Sequence, residues 1–459
     1  MRCMVGFLAL AFTMVRPPNF VVIFADDLGY GDLSCYGNRA YKTPNLDRMA
    51  AEGVRFTNFY SASPGCSPSR AALLTGSYPV RVGVPQVLNP DSPTGLNPAE
   101  ANLANTLKPL GYATACVGKW HLGVKNLMPT FQGFDTFYGL PYSNDMWPPN
   151  GANWPRLWLH KDREQVEEVK TLDDQAELTG KYTRFATEFI RKNRNQPFLL
   201  YLAHSMPHVP IAASKRFAGK TGKGLYADTI TELDWSVGEV LRTLKKEGLE
   251  DNTLVFFASD NGPWLPYGEH AGSSGGLREG KGTSFEGGFR VPGIFRWPGH
   301  IPAGQVRDEI VTTMDVLPTV AKLAGAKLSN VERDGADVSD LLQGSSRQEV
   351  RPWFFYFWPG ELQAVRSGDW KLHVSHKHRN QTKPAGKGGR SAGEVTATIE
   401  LSLFDLGEDP GETKNLAGSK PEVVARLMRM LAIGRRELGD TLTGTRGSGV
   451  RPPGRVEQP

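Results

Sequence analysis

Acidic, basic and thiol side chains recur in this chain where short apolar runs end. The run Phe20 to Phe24 leads into Ala25-Asp26-Asp27, and the run Thr253 to Ser259 leads into Asp260-Asn261-Gly262. Three carboxylates and an amide form an all-oxygen donor set, which suits Ca²⁺ or Mg²⁺ better than zinc. Adjacent Asp26 and Asp27 would repel each other unless positive charge lies between them. Each motif alone also reads as something plainer: Asp-Asp as a helix cap, Asp-Asn-Gly as a turn.

A second group centres on Cys66, in the stretch Pro64-Gly65-Cys66-Ser67-Pro68-Ser69-Arg70 that continues through two alanines and two leucines to Thr75-Gly76. Pro68 and Ser69 predict the opening of a helix and Gly76 its end, which places Cys66 at the positive end beside Arg70. A thiol there is poised for chemistry; a buried structural cysteine is the alternative. Lys119 and His121 follow the run Ala113 to Val117, and His204 and His208 follow Pro197 to Ala203. Histidines so placed can move protons, although a lone histidine ordinarily has a structural role. The glycine-rich stretch Gly280 to Arg290 lacks phosphate-loop spacing and offers an anion only Lys281.

The elements that must position these groups are legible from periodicity. Through about residue 350, β-branched and aromatic runs alternate with amphipathic segments such as Tyr182, Phe185, Phe189 and Tyr226, Ile230, Leu233, Val237, Leu241, Leu244. That alternation predicts an α/β fold, a sheet covered by helices on both faces whose strand ends carry the site. Trp353 to Trp358, Leu362 to His373 and Leu401 to Leu406 predict a smaller antiparallel sheet, and Pro421 to about Leu438 a helix. The expected organisation is a leader at 1–18, a catalytic domain at 19–350, a C-terminal subdomain at 351–438 and a mobile tail at 439–459. The Lys-, Arg- and Gly-rich stretch His376 to Gly393 is expected to be mobile as well.

With 459 residues, 39% hydrophobic and 22% charged, the chain can bury a large core and is neither disordered nor polytopic. Its net charge of +5 arises wholly within residues 366–459, so no basic stripe marks the body for nucleic acid. Cys3, Cys35, Cys66 and Cys116 are too scattered for a disulfide framework or a zinc site. Arg2 followed by the apolar run Met4 to Val15 has the character of an export signal, with a frayed strand as the alternative. No other stretch approaches the ~20 apolar residues of a membrane span.

Read together, these blocks resemble the type I sulfatases. CSPSRAALLTG at 66–76 is similar to that family's signature, and GKWHLG at 118–123 to its second; FADDLGYGD at 24–32, SDNG at 259–262 and GKGTSFEGG at 280–288 follow in the family's order. The resemblance runs in blocks from about Asn19 to Leu416, toward the arylsulfatase A and N-acetylgalactosamine-6-sulfatase branch. It implies an alkaline-phosphatase-like fold, with a large mixed central sheet flanked by helices plus a small C-terminal antiparallel sheet with a helix. It also implies that Cys66 is oxidised to formylglycine by a formylglycine-generating enzyme. The hydrated aldehyde would attack the sulfur of a sulfate monoester, and its second hydroxyl would then expel sulfate by elimination, a route closed to a serine.

The resemblance further implies residue roles. Asp26, Asp27, Asp260 and Asn261, with the modified Cys66, would ligate Ca²⁺, with Mg²⁺ the lesser candidate. Arg70 would brace the metal site, and Lys119 and Lys281 would grip sulfate oxygens. His121 would take the proton that drives elimination, and His208, in preference to His204, would protonate the leaving alcohol. The expected substrate is an aryl sulfate or sulfated sugar, and the expected location is the periplasm, the exterior or, in a eukaryote, the lysosome. Few cysteines and a single glycosylation sequon at Asn380 depart from the mammalian pattern. Trp147, Trp154 and Trp158 offer either a sugar platform or simple packing. A phosphate or phosphonate ester hydrolase and a catalytically silent glycan-binding relative are the competing functions.

Overall fold

The computed structural model describes residues 16–151, 153–381 and 384–457; most of the expected leader lies outside them. Ten strands form one mixed sheet in the order Gln305–Arg307, Val54–Phe56, Gly293–Arg296, Thr253–Ser259, Asn19–Ala25, Phe198–Ala203, Ala113–Lys119, Thr136–Leu140, Leu157–Lys161 and Glu164–Val169. The five strands from Thr253–Ser259 to Thr136–Leu140 are mutually parallel. Their register pairs Ala25 with Ser259, Phe24 with Ala203, Gly118 with Ala203 and Lys119 with Leu140. All five carboxyl ends therefore open on one edge, and whatever follows each strand is delivered there.

Strand Asn19–Ala25 is buried throughout because the sheet is covered on both faces. Phe20, Val22 and Phe24 point into one core with Leu73, Leu74 and Leu317, while Val21 and Ile23 point into the other with Tyr182, Ile230 and Leu233. Helices Leu178–Lys192 and Leu225–Lys246 supply that second face from the periodic positions seen in the sequence. Each large apolar side chain so buried contributes roughly 1.5–3 kcal/mol. At Gly118, φ is +105° and an added Cβ would stand 1.8 Å from the Ala203 carbonyl oxygen, so only glycine fits one residue before Lys119.

The smaller sheet has the order Phe354–Phe357, Leu362–Ser367, Trp370–His373, Ser402–Asp405. Helix Pro421–Leu438 packs on it through Leu427 and Leu431. Two segments differ from expectation. Within the stretch expected to be mobile, His376–Gln381 pairs antiparallel with Glu394–Ile399 as a hairpin. Phe285 of the large domain inserts between His373 and His378, with ring centroids 5.0 and 4.9 Å away; a composition rich in Lys and Gly gives no hint of that anchor. The tail expected to be mobile docks on the large domain. Gly454–Arg455 pairs with Thr94–Gly95, and Arg451 grips Glu100 through bonds of 2.7 and 2.9 Å. Long-range charge pairing orders it where hydrophobic periodicity is lacking.

Candidate active site

The strand edge gathers the polar groups. Helix Cys66–Thr75 is buried along its whole length and closes at Gly76 in the left-handed conformation. It opens at Cys66 itself, two residues earlier than Pro68 suggested. Cys66 Sγ lies 3.6 Å from Asp26 Oδ1, and ligand atoms of Asp26, Asp27, Cys66 and His208 all fall within 4.8 Å of one another. Asp27 is held in the left-handed region at φ +62° and His121 at +58°, a cost on the order of 1 kcal/mol each that the surrounding bonds must offset.

Three carboxylates face three cations. Lys119 Nζ donates to Asp26 at 2.6 Å and to Ser143 Oγ at 3.0 Å; Lys281 Nζ donates to Asp27 at 2.8 Å. Arg70 donates twice to Asp260 Oδ2, from Nε at 3.1 Å and Nη2 at 2.7 Å, and lies 3.5 Å from Asp26. Burial works against the Asp26 charge, but Lys119, His208 and Arg70 outweigh it and hold the carboxyl below its ordinary range. Burial, with Asp26 alongside, pushes Asp260 up despite Arg70. Against burial, Asp26 keeps Lys119 protonated and Asp27 keeps Lys281 protonated.

The thiol of Cys66 does not behave as its helix position suggested. Burial pushes it well up, and Lys119 and Lys281 do not compensate; as an unmodified cysteine it is a neutral thiol and a poor nucleophile. His121 Nε2 bonds the Leu88 carbonyl at 2.8 Å, which leaves Nδ1 without a partner among the described residues. That assignment makes Nε2 the donor and Nδ1 a free acceptor. Burial, with Lys119 and Arg70 nearby, holds the ring well below the ordinary histidine range, so it is neutral.

The donor chemistry fits a hard cation. Asn261 Nδ2 donates to Asp27 Oδ1 at 2.7 Å and to the Gly262 carbonyl at 2.8 Å, while Asn261 Oδ1 is buried beside the carboxylates without a partner among the described residues. A cation is the partner such an oxygen lacks. His208 Nε2 stands 3.6 Å from Asp27, whereas His204 is buried against Tyr182 and Ser236 and does not line the pocket.

The pocket above Cys66 encloses about 370 Å³ and is lined by His121, His208 and Lys281 together with groups that sequence reasoning missed. Ser143 and Asp145 follow a strand end like the others, but the run Thr136–Leu140, broken by Gly139, was not singled out. Trp264 carries the Lys281 ammonium 4.4 Å from its ring centroid. Trp358 and Arg379 arrive from the C-terminal part of the chain, where no local signal marks them. Of the three tryptophans offered as a sugar platform, Trp147 is core, Trp154 packs beside it, and Trp158 lines a different cavity.

Residues 18–326 match the Sulfatase family and residues 349–444 match the C-terminal region of aryl-sulfatase. The chain is 41% identical to human (Homo sapiens) arylsulfatase A over 452 residues, covering 92% of this chain and 89% of that protein. To the N-acetylgalactosamine-6-sulfatase of Rattus norvegicus it is 41% identical, covering 88% and 82%. The crystal structure of PsFucS1 sulfatase from Pseudoalteromonas sp. superposes with a TM-score of 0.82 at 29% identity, covering 92% of this chain and 91% of that one. The chain belongs to the sulfatase family. It has the alkaline-phosphatase-like fold and is a sulfuric ester hydrolase.

Proposed function

We propose that this sulfatase acts on an aryl sulfate or sulfated sugar through a formylglycine made from Cys66, with Ca²⁺ in preference to Mg²⁺ held by Asp26, Asp27, Asp260 and Asn261. The observation that carries the reading is the position of Cys66, an inert buried thiol 3.6 Å from Asp26 within a cluster of ligating atoms. A cysteine of no use as a thiol makes sense there as the precursor of another group. As its hydrate, the aldehyde supplies a nucleophilic hydroxyl and a second hydroxyl through which sulfate can leave without water attacking sulfur. Asp26, Asp27, Asp260 and Asn261 would hold the cation, which when bound would supply positive charge for sulfate oxygens and for an ionised hydroxyl.

The chain's own residues do the rest. Lys119 and Lys281 each have three N–H groups, so they can hold sulfate oxygens while retaining Asp26 and Asp27. Arg70 fixes Asp260 and, through it, the ligand geometry. His121 accepts a proton at Nδ1, and His208, whose Nε2 stands 3.6 Å from Asp27, delivers one to the departing alcohol. Maturation requires a formylglycine-generating enzyme, and export is proposed on Arg2 and the apolar run after it.

Mass analysis of the peptide containing Cys66, paired with a nitrophenyl sulfate assay, tests the reading. Conversion exchanges one sulfur and two hydrogens for one oxygen and abolishes thiol reactivity. Full turnover by protein whose Cys66 remains a thiol would overturn it.

A further inference from the structure

A second cavity of about 1010 Å³ lies beside the catalytic pocket of about 370 Å³. The same two stretches of chain bound both. Gln86 and Val87 face the catalytic pocket while Pro90 faces the larger cavity; Ser143 and Asp145 face the first while Pro141 and Tyr142 face the second. The two spaces therefore lie on either side of the same two stretches.

The chemistry of the larger cavity is aromatic and cationic. Trp158, Tyr142 and Phe131 line it, and Phe131 remains 40% exposed. Arg163 stacks 4.1 Å from the Phe131 ring centroid, which fixes its guanidinium at the rim. Lys125 and Arg156 add two further cations; Arg156 is 73% exposed and touches Glu168 only at 3.7 Å, a pairing worth little. Against these three cations the described residues of the lining include one acid, Glu457. Aromatic faces suit the apolar face of a pyranose ring, and guanidinium forks suit planar pairs of anionic oxygens. A neutral partner would leave the cations unused, and an extended anion without rings would leave the aromatic walls bare.

We propose that this cavity is a second binding site for sulfated glycan, holding a neighbouring sulfated sugar of the chain whose sulfate ester enters the catalytic pocket. It rests on the sulfatase reading and narrows the substrate from any sulfate ester to a sulfated oligosaccharide. The site contributes affinity, and none of its residues touches the reacting atoms.

The test separates binding from turnover. In the Cys66→Ala background, which cannot hydrolyse the probe, affinity for a chondroitin sulfate hexasaccharide is measured for the otherwise unchanged protein, for W158A/R163A, and for R429A, an exposed cation on helix Pro421–Leu438. The double substitution should weaken binding by about tenfold or more, the loss expected when an aromatic anchor and its cation go, and rising salt should weaken what remains. In chains that retain Cys66, W158A/R163A should leave kcat/KM for nitrophenyl sulfate within about twofold. Equal affinity with and without the double substitution overturns the proposal. So does equal binding of the desulfated hexasaccharide, which keeps its carboxylates, or an equal loss from R429A, which would make the attraction diffuse charge. Failure of the Cys66-containing protein to turn over nitrophenyl sulfate would count against the catalytic reading, while the binding measurements still decide the cavity.

Discussion

Lys119 Nζ lies 2.6 Å from Asp26 Oδ2, with both side chains fully buried. Removing one member of a buried pair leaves the other charge uncompensated, at about 3–5 kcal/mol. Arg70, 3.5 Å from Asp26, offsets part of that. Lys119→Ala should therefore lower stability by about 3 kcal/mol in metal-free buffer and cut kcat/KM for nitrophenyl sulfate by about 100-fold or more. Urea unfolding and steady-state kinetics check both; an unchanged unfolding midpoint would show that Asp26 does not depend on Lys119.

Asp260 anchors Arg70 through two bonds and presents Oδ1 to the backbone N–H of Asp27 at 3.1 Å. Asp260→Ala should free Arg70 and weaken cation binding together. Added Ca²⁺ should raise the melting temperature of the wild type more than that of the variant, since a ligand stabilises only what it binds. Equal shifts would place the ion elsewhere.

Cys66→Ala should abolish turnover and leave the fold intact, because a single small buried side chain is lost while helix Cys66–Thr75 keeps its packing. Cys35→Ser, at a partly buried free cysteine, should retain turnover. Circular dichroism beside the sulfate assay distinguishes loss of chemistry from loss of structure.

Burial holds His204 down to about 3. The folded state thus binds fewer protons at this site than the unfolded chain does between its folded pKa and the ordinary value near 6.5. The stability His204 contributes is complete above that ordinary value and is lost as pH falls toward 3, with a slope of up to about 1.4 kcal/mol per pH unit for one proton. His204→Asn should flatten the acid side of the stability profile between pH 6.5 and 4 relative to wild type. Parallel profiles would mean that His204 titrates normally.

A sulfate monoester is a monoanion, which Lys119, Lys281, Arg70 and a bound cation would suffice to hold. A phosphate monoester brings a second negative charge and makes a poorer group to expel, so it should bind well and turn over slowly. Nitrophenyl sulfate should give steady turnover and nitrophenyl phosphate a stall after about one equivalent. A higher kcat/KM for a phosphate or phosphonate ester would favour the phosphorus hydrolase.

How much of this was legible in the sequence depended on whether a signal was local. Asp26-Asp27 and Asp260-Asn261 stand directly after strands whose apolar runs announce them, Lys119 closes a third strand and His208 lies in the loop that follows a fourth, and parallel pairing carries these strand ends to the same edge. The small sheet and the helix Pro421–Leu438 were legible for the same reason. Tertiary structure decided what needs distant neighbours. It separated His208, facing Asp27, from His204, four residues earlier and buried on Ser236. It decided between the two readings of the Cys66 thiol, because burial pushes the thiol up beyond what Lys119 and Lys281 offset. It brought Trp358 and Arg379 to the pocket from the C-terminal part of the chain and tied Arg451 to Glu100 across 351 positions. Periodicity and caps act within a few residues and so are written in the order of the chain, whereas burial, charge compensation and docking depend on which faces meet, and only the folded register fixes that.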